Sequence, residues 1–221
     1  MKIQKQKEVI ELITSGMKSV VIKYVILFLA LTSVTHADVT LSETEFPVNV
    51  VIEYNNEQLD LVLSGLTIRK KFFLKIYNMA HYIEQKSGIS DPDASGIEIY
   101  KNILLNNDAK QISMIFLRAL SAKQIQKSLI SGIKLNSSEE EYLLITPQVK
   151  EFIQAIDENV EQGDEFIIRW LPDGTLISIF QGEQISAIKN HIFARTLWSI
   201  WFGNDSIVDR KSLIKELLTS S

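Results

Sequence analysis

The stretch from Phe72 to Ile83 runs without a glycine or proline and is crowded with aromatic and branched side chains. Such a run suits a pleated, packed strand. It is about twice the usual five or six residues. A strand of that length belongs in the middle of a large, curved sheet. Just before it, residues 48–63 alternate apolar and polar around Asn55-Asn56, which reads as a β-hairpin. Gly65 and the basic trio Arg69-Lys70-Lys71 separate the hairpin from the long strand in this reading.

Further along, Asp91-Pro92-Asp93 opens a turn and residues 97–106 read as a short helix. Gln111 to Leu120 reads as a strand. Ser121 is placed to cap a helix running to about Ile133. Glu139 to Val160 reads as a second helix, kinked at Pro147. Its leading Glu139-Glu140-Glu141 suits a helix N-terminus. Residues 164–187 read as two hairpins, the first turning at Pro172-Asp173-Gly174, the second at Gly182. Ile188, Ile192, Phe193, Leu197, Ile200 and Trp201 mark one helical face, with Gly203 as its C′ residue. Ser206 to Leu218 reads as a last amphipathic helix. Strands joined by hairpins, then helices, then strands again define an α+β fold. A mainly antiparallel sheet with helices on one face is expected, as a single domain over residues 38–221.

Residues 1–37 read differently. Lys18 and Lys23 flank the start of an apolar run from Tyr24 to Leu31, and Thr35-His36-Ala37 forms an acceptable cleavage site. These are the parts of a secretory signal peptide, with Asp38 as the mature N-terminus and an exported, periplasmic or secreted, product. Met17 stands where a shorter signal would begin. The other reading, a membrane anchor, needs about 20 apolar residues, and Lys23 interrupts the wider run. Residues 38–221 carry 18 Lys and Arg against 25 Asp and Glu, a net charge of −7. That balance argues against nucleic acid and against anionic membrane surfaces as partners.

The inventory of reactive groups is thin. There are no cysteines, so neither disulfides nor zinc–thiolate sites arise. No phosphate-binding glycine loop and no nucleophile-elbow motif occurs. Only His81 and His191 lie beyond the leader, far apart, with no carboxylate at ligand spacing to either. No metal and no cofactor is expected.

The segment from Leu63 to Ile83 resembles the opening of the chalcone isomerase-like fold, in which a Gly and an Arg precede a long strand ending in Tyr and an aliphatic residue. Three further stretches follow in the family's order. They are Ile112 to Arg118, then Asp164-Glu165-Phe166 with Pro172-Asp173-Gly174 and Gln181-Gly182-Glu183, then Phe193 to Gly203 with Leu213 to Leu218. As a whole the chain is most similar to the family's bacterial exported branch. The resemblance implies an apolar cleft. In the fatty-acid-binding branch an Arg and a Tyr hold the ligand carboxylate, and Arg69 and Tyr77 stand at those positions. The plant enzymes carry a Thr where this chain has Tyr77. They also place a Tyr and an Asn on the helix after the next strand, where this chain has Ile125 and Gly132.

Neither Ile125 nor Gly132 offers a side-chain donor. Loss of one donor to a developing enolate typically costs about 10²–10³ in rate. The expectation is therefore a binder of a fatty acid or similar small amphiphile, without catalysis. The alternative is an intramolecular lyase of the chalcone isomerase type or an enzyme on another substrate, and a scaffold using only the fold is a third reading. The candidate ligand-binding residues are Arg69, Tyr77 and, at the end of an apolar strand, Arg118. Arg69 and Tyr77 are eight residues apart, an even spacing that puts both on one side of a regular strand. Arg69 also fits a solvated basic turn beside Lys70 and Lys71, and Tyr77 also fits a core aromatic.

Overall fold

The computed structural model describes residues 38–41, 44–87 and 95–219. The signal-peptide reading of 1–37 and the turn at Asp91-Pro92-Asp93 lie outside the described residues. Seven strands form one antiparallel sheet in sequence order: β3 (Asn49–Tyr54), β4 (Glu57–Lys71), β5 (Leu74–Glu84), β6 (Lys110–Phe116), β7 (Glu165–Trp170), β8 (Thr175–Phe180) and β9 (Glu183–Lys189). Two short strands, β1 (Asp38–Leu41) and β2 (Thr44–Pro47), pair separately. The helices are α1 (Gly96–Leu105), α2 (Ala122–Leu135), α3 (Glu139–Gln154), α4 (His191–Phe202) and the short α5 (Lys215–Thr219), the last preceded by a 3₁₀ turn at Ser212–Ile214.

Local chemistry explains most boundaries. Asn55 and Asn56 both adopt positive φ, 52° and 64°, as a two-residue hairpin requires. Ser95 and Ser121 each cap a helix in a reciprocal box, with Glu98 and Gln124 as partners. Ser138 caps α3, and Pro147 sits inside it.

The sheet is covered on both faces, which is why β5 reads as an almost unbroken apolar run. On one face Tyr77, Met79, Ile83, Ile112, Met114, Phe166, Ile168 and Trp170 pack against the helices in the main core. On the other, Leu61, Leu63, Ala80 and Tyr82 pack with Phe46 of β2. The β1–β2 ribbon is tied down by Asn78, whose Nδ2 donates to the Leu41 carbonyl at 2.9 Å and to Thr44 Oγ1 at 2.6 Å.

Several expectations are corrected. The long strand does not begin at Phe72. β4 runs straight through Gly65 to Lys71, the chain turns at Phe72-Phe73, and β5 starts at Leu74. Gly65 is no separator: it sits at a bulge in β4, where a Cβ would come within 2.2 Å of the Ser212 carbonyl oxygen. The C-terminal segment thus presses backbone to backbone on the sheet. α3 ends at Gln154 rather than near Val160. α4 is not one-sided, being buried all round from Phe193 to Phe202 except at Arg195, as a helix packed between other elements must be. Ile188 belongs to β9. Gly203 is extended (φ −70°, ψ 177°) rather than left-handed, and a side chain there would collide with Asn136. The continuous helix expected over 206–218 is replaced by the 3₁₀ turn and α5.

Candidate functional site

A cleft of about 690 Å³ opens between the β4–β5 hairpin, the end of β6 and helix α2. Arg69, Tyr77 and Arg118 all line it. Arg69 and Tyr77 share a side for a reason other than strand parity. They sit on neighbouring strands as direct register partners across β4 and β5, and directly opposed residues project to the same face of a sheet.

Tyr77 is 8% exposed and stacks edge-on against Phe116, with centroids 6.0 Å apart. Trp201 Nε1–H donates to its hydroxyl oxygen at 3.1 Å. Indole is a donor only, so the phenol accepts this bond and keeps its own O–H to give. Burial pushes the phenol above its ordinary value of 10, against the opposing pull of the Trp201 hydrogen bond and the Arg69 charge. Tyr77 is therefore a neutral donor at physiological pH. Arg69 is half-buried and one arm of its guanidinium donates to the Ile207 carbonyl. The remaining N–H groups of the fork stay available to an anion. Arg118 makes no hydrogen bond or ion pair among the described residues.

Two cations not singled out in the sequence join them, Lys71 and Lys127. Lys71 lies two residues beyond Arg69, a signal present in the basic trio but legible only once β4 is known to continue through it. Lys127 is on the outer side of α2. Among the described residues no Asp or Glu lines this cleft, although the chain as a whole has net charge −4. The rest of the lining is largely apolar and includes the buried Met114, Phe116, Ile125, Leu129, Phe166 and Ile200. The positions at which the family's enzymes place donors, Ile125 and Gly132, both line the cleft. A Cβ at Gly132 would meet three Ile200 side-chain atoms at 3.1–3.2 Å, so a larger residue there displaces Ile200.

A second groove, of about 720 Å³, lies beside α1 and the 203–210 segment and is electrically mixed. Its Arg195 pairs with Glu141 at 2.6 Å, and its Arg210 bonds the Phe202 and Gly203 carbonyls over the face of Tyr100. Arg195 and Arg210 are thus engaged by the protein's own groups, while Lys101 also lines the groove.

Among the described residues, Ser64 and His81 form the one contact that looks like a nucleophile and base, Oγ to Nδ1 at 2.6 Å. Its polarity is wrong for that role. Trp198 Nε1–H donates to His81 Nε2 at 3.2 Å, so Nδ1 carries the ring proton and donates to Ser64. Ser64 in turn donates to the Leu213 carbonyl at 2.8 Å. All three side chains are fully buried, and burial, assisted by the Lys110 charge, holds His81 neutral, well below its ordinary range. The trio is a structural clasp. Among the described residues no group of three metal-ligating side chains occurs, and no helix is long and apolar enough to cross a membrane.

The architecture is thus a curled antiparallel sheet with helices on one face and a cleft at the β4–β5 end. Residues 40–219 match the family described as chalcone isomerase-like, and the chain belongs to that family. Among solved structures, it is similar to an Arabidopsis thaliana fatty-acid binding protein, AtFAP1, at 12% identity and a TM-score of 0.66. The likeness covers 83% of this chain and 97% of that one. No curated protein sequence matches the chain significantly.

Proposed function

We propose that this protein binds a fatty acid or a similar single-headed amphiphile in the β4–β5–α2 cleft and does not transform it. One observation carries the reading: an apolar cleft lined by Arg69, Lys71, Arg118 and Lys127 has no carboxylate among the described residues of its lining. Apolar walls suit an acyl chain, and a guanidinium fork beside a neutral phenol donor suits a carboxylate head. The structural likeness to a fatty-acid binding protein supports this reading. Ile125 and Gly132 in the cleft wall support a role without catalysis, because neither can stabilise a developing enolate.

Calorimetric titration of a long-chain fatty acid against its methyl ester tests the clamp. A charge-assisted hydrogen bond contributes about 1.5–3 kcal/mol, so Arg69→Ala should weaken acid binding roughly ten- to a hundredfold. Tyr77→Phe keeps the ring and the packing on Phe116 and should weaken it about three- to tenfold. Equal affinity of acid and ester for the wild type would remove the carboxylate clamp. Saturable turnover of a chalcone by the purified protein would instead favour an intramolecular lyase.

We also propose that the protein is exported, on the basic, apolar and small-residue series that ends at Ala37. Mass analysis of the protein recovered from its host should find Asp38 at the N-terminus. A soluble cytoplasmic form retaining residues 1–37 would contradict export.

A further inference from the structure

The turn between β4 and β5 presents two adjacent phenylalanines to solvent, Phe72 at 88% and Phe73 at 91% exposure, with Leu74 beside them at 39%. No other large apolar side chain among the described residues is as exposed. Phe72 adopts φ 55°, a conformation a bulky side chain rarely takes. The same tip is densely cationic. From Arg69 to Lys75 the chain carries Arg69, Lys70, Lys71 and Lys75, and no acidic residue occurs between Asp60 and Glu84.

We propose that this hairpin tip docks on an anionic phospholipid bilayer. Phe72 and Phe73 enter the boundary between headgroups and acyl chains, while Lys70, Lys71 and Lys75 meet the phosphates. Aromatic side chains ringed by lysine are what the interfacial zone of an anionic membrane favours. A protein partner is the poorer match, since interface cores are depleted in lysine. The net charge of −7 over residues 38–221, which argues against such a surface for the chain as a whole, does not bear on this tip, where every Lys, Arg, Asp or Glu from residue 61 to residue 83 is basic. Attraction to a membrane decays within a Debye length, about 10 Å, so nearby charges dominate.

Arg69, Lys71, Phe72 and Leu74 also line the cleft. A docked tip therefore sets the cleft mouth at the depth where amphiphile headgroups lie, and a ligand passes between bilayer and cleft without crossing open water. Docking stands on the tip alone; this transfer rests on the cleft being the ligand site.

Co-sedimentation with vesicles of phosphatidylcholine, alone or mixed with phosphatidylglycerol, tests the proposal. The wild type should partition onto the mixed vesicles and only weakly onto the neutral ones. Phe73→Ser should lower partitioning roughly ten- to a hundredfold. Each of Lys70→Gln and Lys75→Gln should lower it about fivefold. None of these three residues lines the cleft, so affinity for fatty acid in vesicle-free solution should not change. All forms share one N-terminus, so any contribution of residues 1–37 cancels. Trp170, Trp198 and Trp201 are at most 1% exposed, so brominated phospholipid should quench Phe73→Trp well beyond the wild type, whose quenching sets the baseline for Trp201 at the cleft. Undiminished partitioning of Phe73→Ser, or an unquenched Trp at 73, overturns the proposal. So does a wild type that ignores both vesicles but self-associates through Phe73, which would assign the tip to a second copy. Loss of acid binding with docking intact would instead count against the ligand reading alone.

Discussion

Lys110 is fully buried, its ammonium donating to the Asn106 carbonyl at 2.8 Å and the Asp108 carbonyl at 3.0 Å, 4.0 Å from the centre of the Trp170 ring. Burial pulls it down to about 7, although the Asp108 and Glu84 charges oppose the shift. The unfolded chain holds this proton up to about 10.4. Between those values the unfolded state binds more protons than the folded one, so stability should rise with pH. The slope should reach up to about 1.4 kcal/mol per pH unit between pH 7 and 9.5. Above that window Tyr77 and Tyr82, whose burial raises them, pull the other way. Urea melts across that range should show the rise in wild type and a flatter profile in Lys110→Met. A wild-type profile already flat would mean that Lys110 stays charged in the fold. None of this was legible in the sequence, where Lys110 falls just before the strand expected from Gln111. The Arg69–Tyr77 pair was legible, but for the wrong reason. Parity along one strand and opposition across two strands happen to give the same side, and the resemblance had already marked both positions.

Elements were readable wherever a side chain carries its own instruction. Ser121 announces a helix start by hydrogen-bonding the third residue on, and Asn55-Asn56 and Asp173-Gly174 announce hairpins; Ser95 and Ser138 cap their helices in the same way but were not read as caps. The β4–β5 connection failed this test. Phe72-Phe73 has no glycine, proline or asparagine, so the turn carries no local signal and merges with the strand that follows. An aromatic pair exposed in a turn, at the expense of local preference, fits a segment shaped by what it meets outside the fold. The last helix was drawn too long for the opposite reason. Its apolar spacing is helical, yet its place is set by the remote Ser64–Leu213 and Gly65–Ser212 contacts, which no local pattern encodes.

At the scale of the whole molecule those contacts close the chain on itself. Leu213 and Ile214 are fully buried in the main core, and Ser64 ties the Leu213 carbonyl to His81 and through it to Trp198 of α4. Gly65→Ala puts a methyl carbon against the backbone at Ser212 and Leu213, at 2.2–2.8 Å. Backbone cannot yield as a side-chain tip can, so the loss should exceed about 3 kcal/mol. A thermal melt of Gly65→Ala matching wild type would show that the C-terminal segment does not bear on β4 as described. The covering of both sheet faces was equally hidden. Residues 38–47 are too short and too polar to read as part of a core, and only Phe46 and the Asn78 tether reveal them as one.

The indoles of Trp170, Trp198 and Trp201 stand in a row, with centroids 5.6 Å and 6.4 Å apart and planes at 68° and 77°. Rings so close and so steeply inclined couple optically, and excitation of one is shared with the next. Trp201, at one end, borders the cleft and gives its N–H to Tyr77; Trp170, at the other, lies under Lys110. The wild-type chain thus carries an intrinsic chromophore array running from the cleft wall to the buried ammonium, and its near-ultraviolet dichroism and emission should report entry of the proposed ligand and titration of the lysine without any added label.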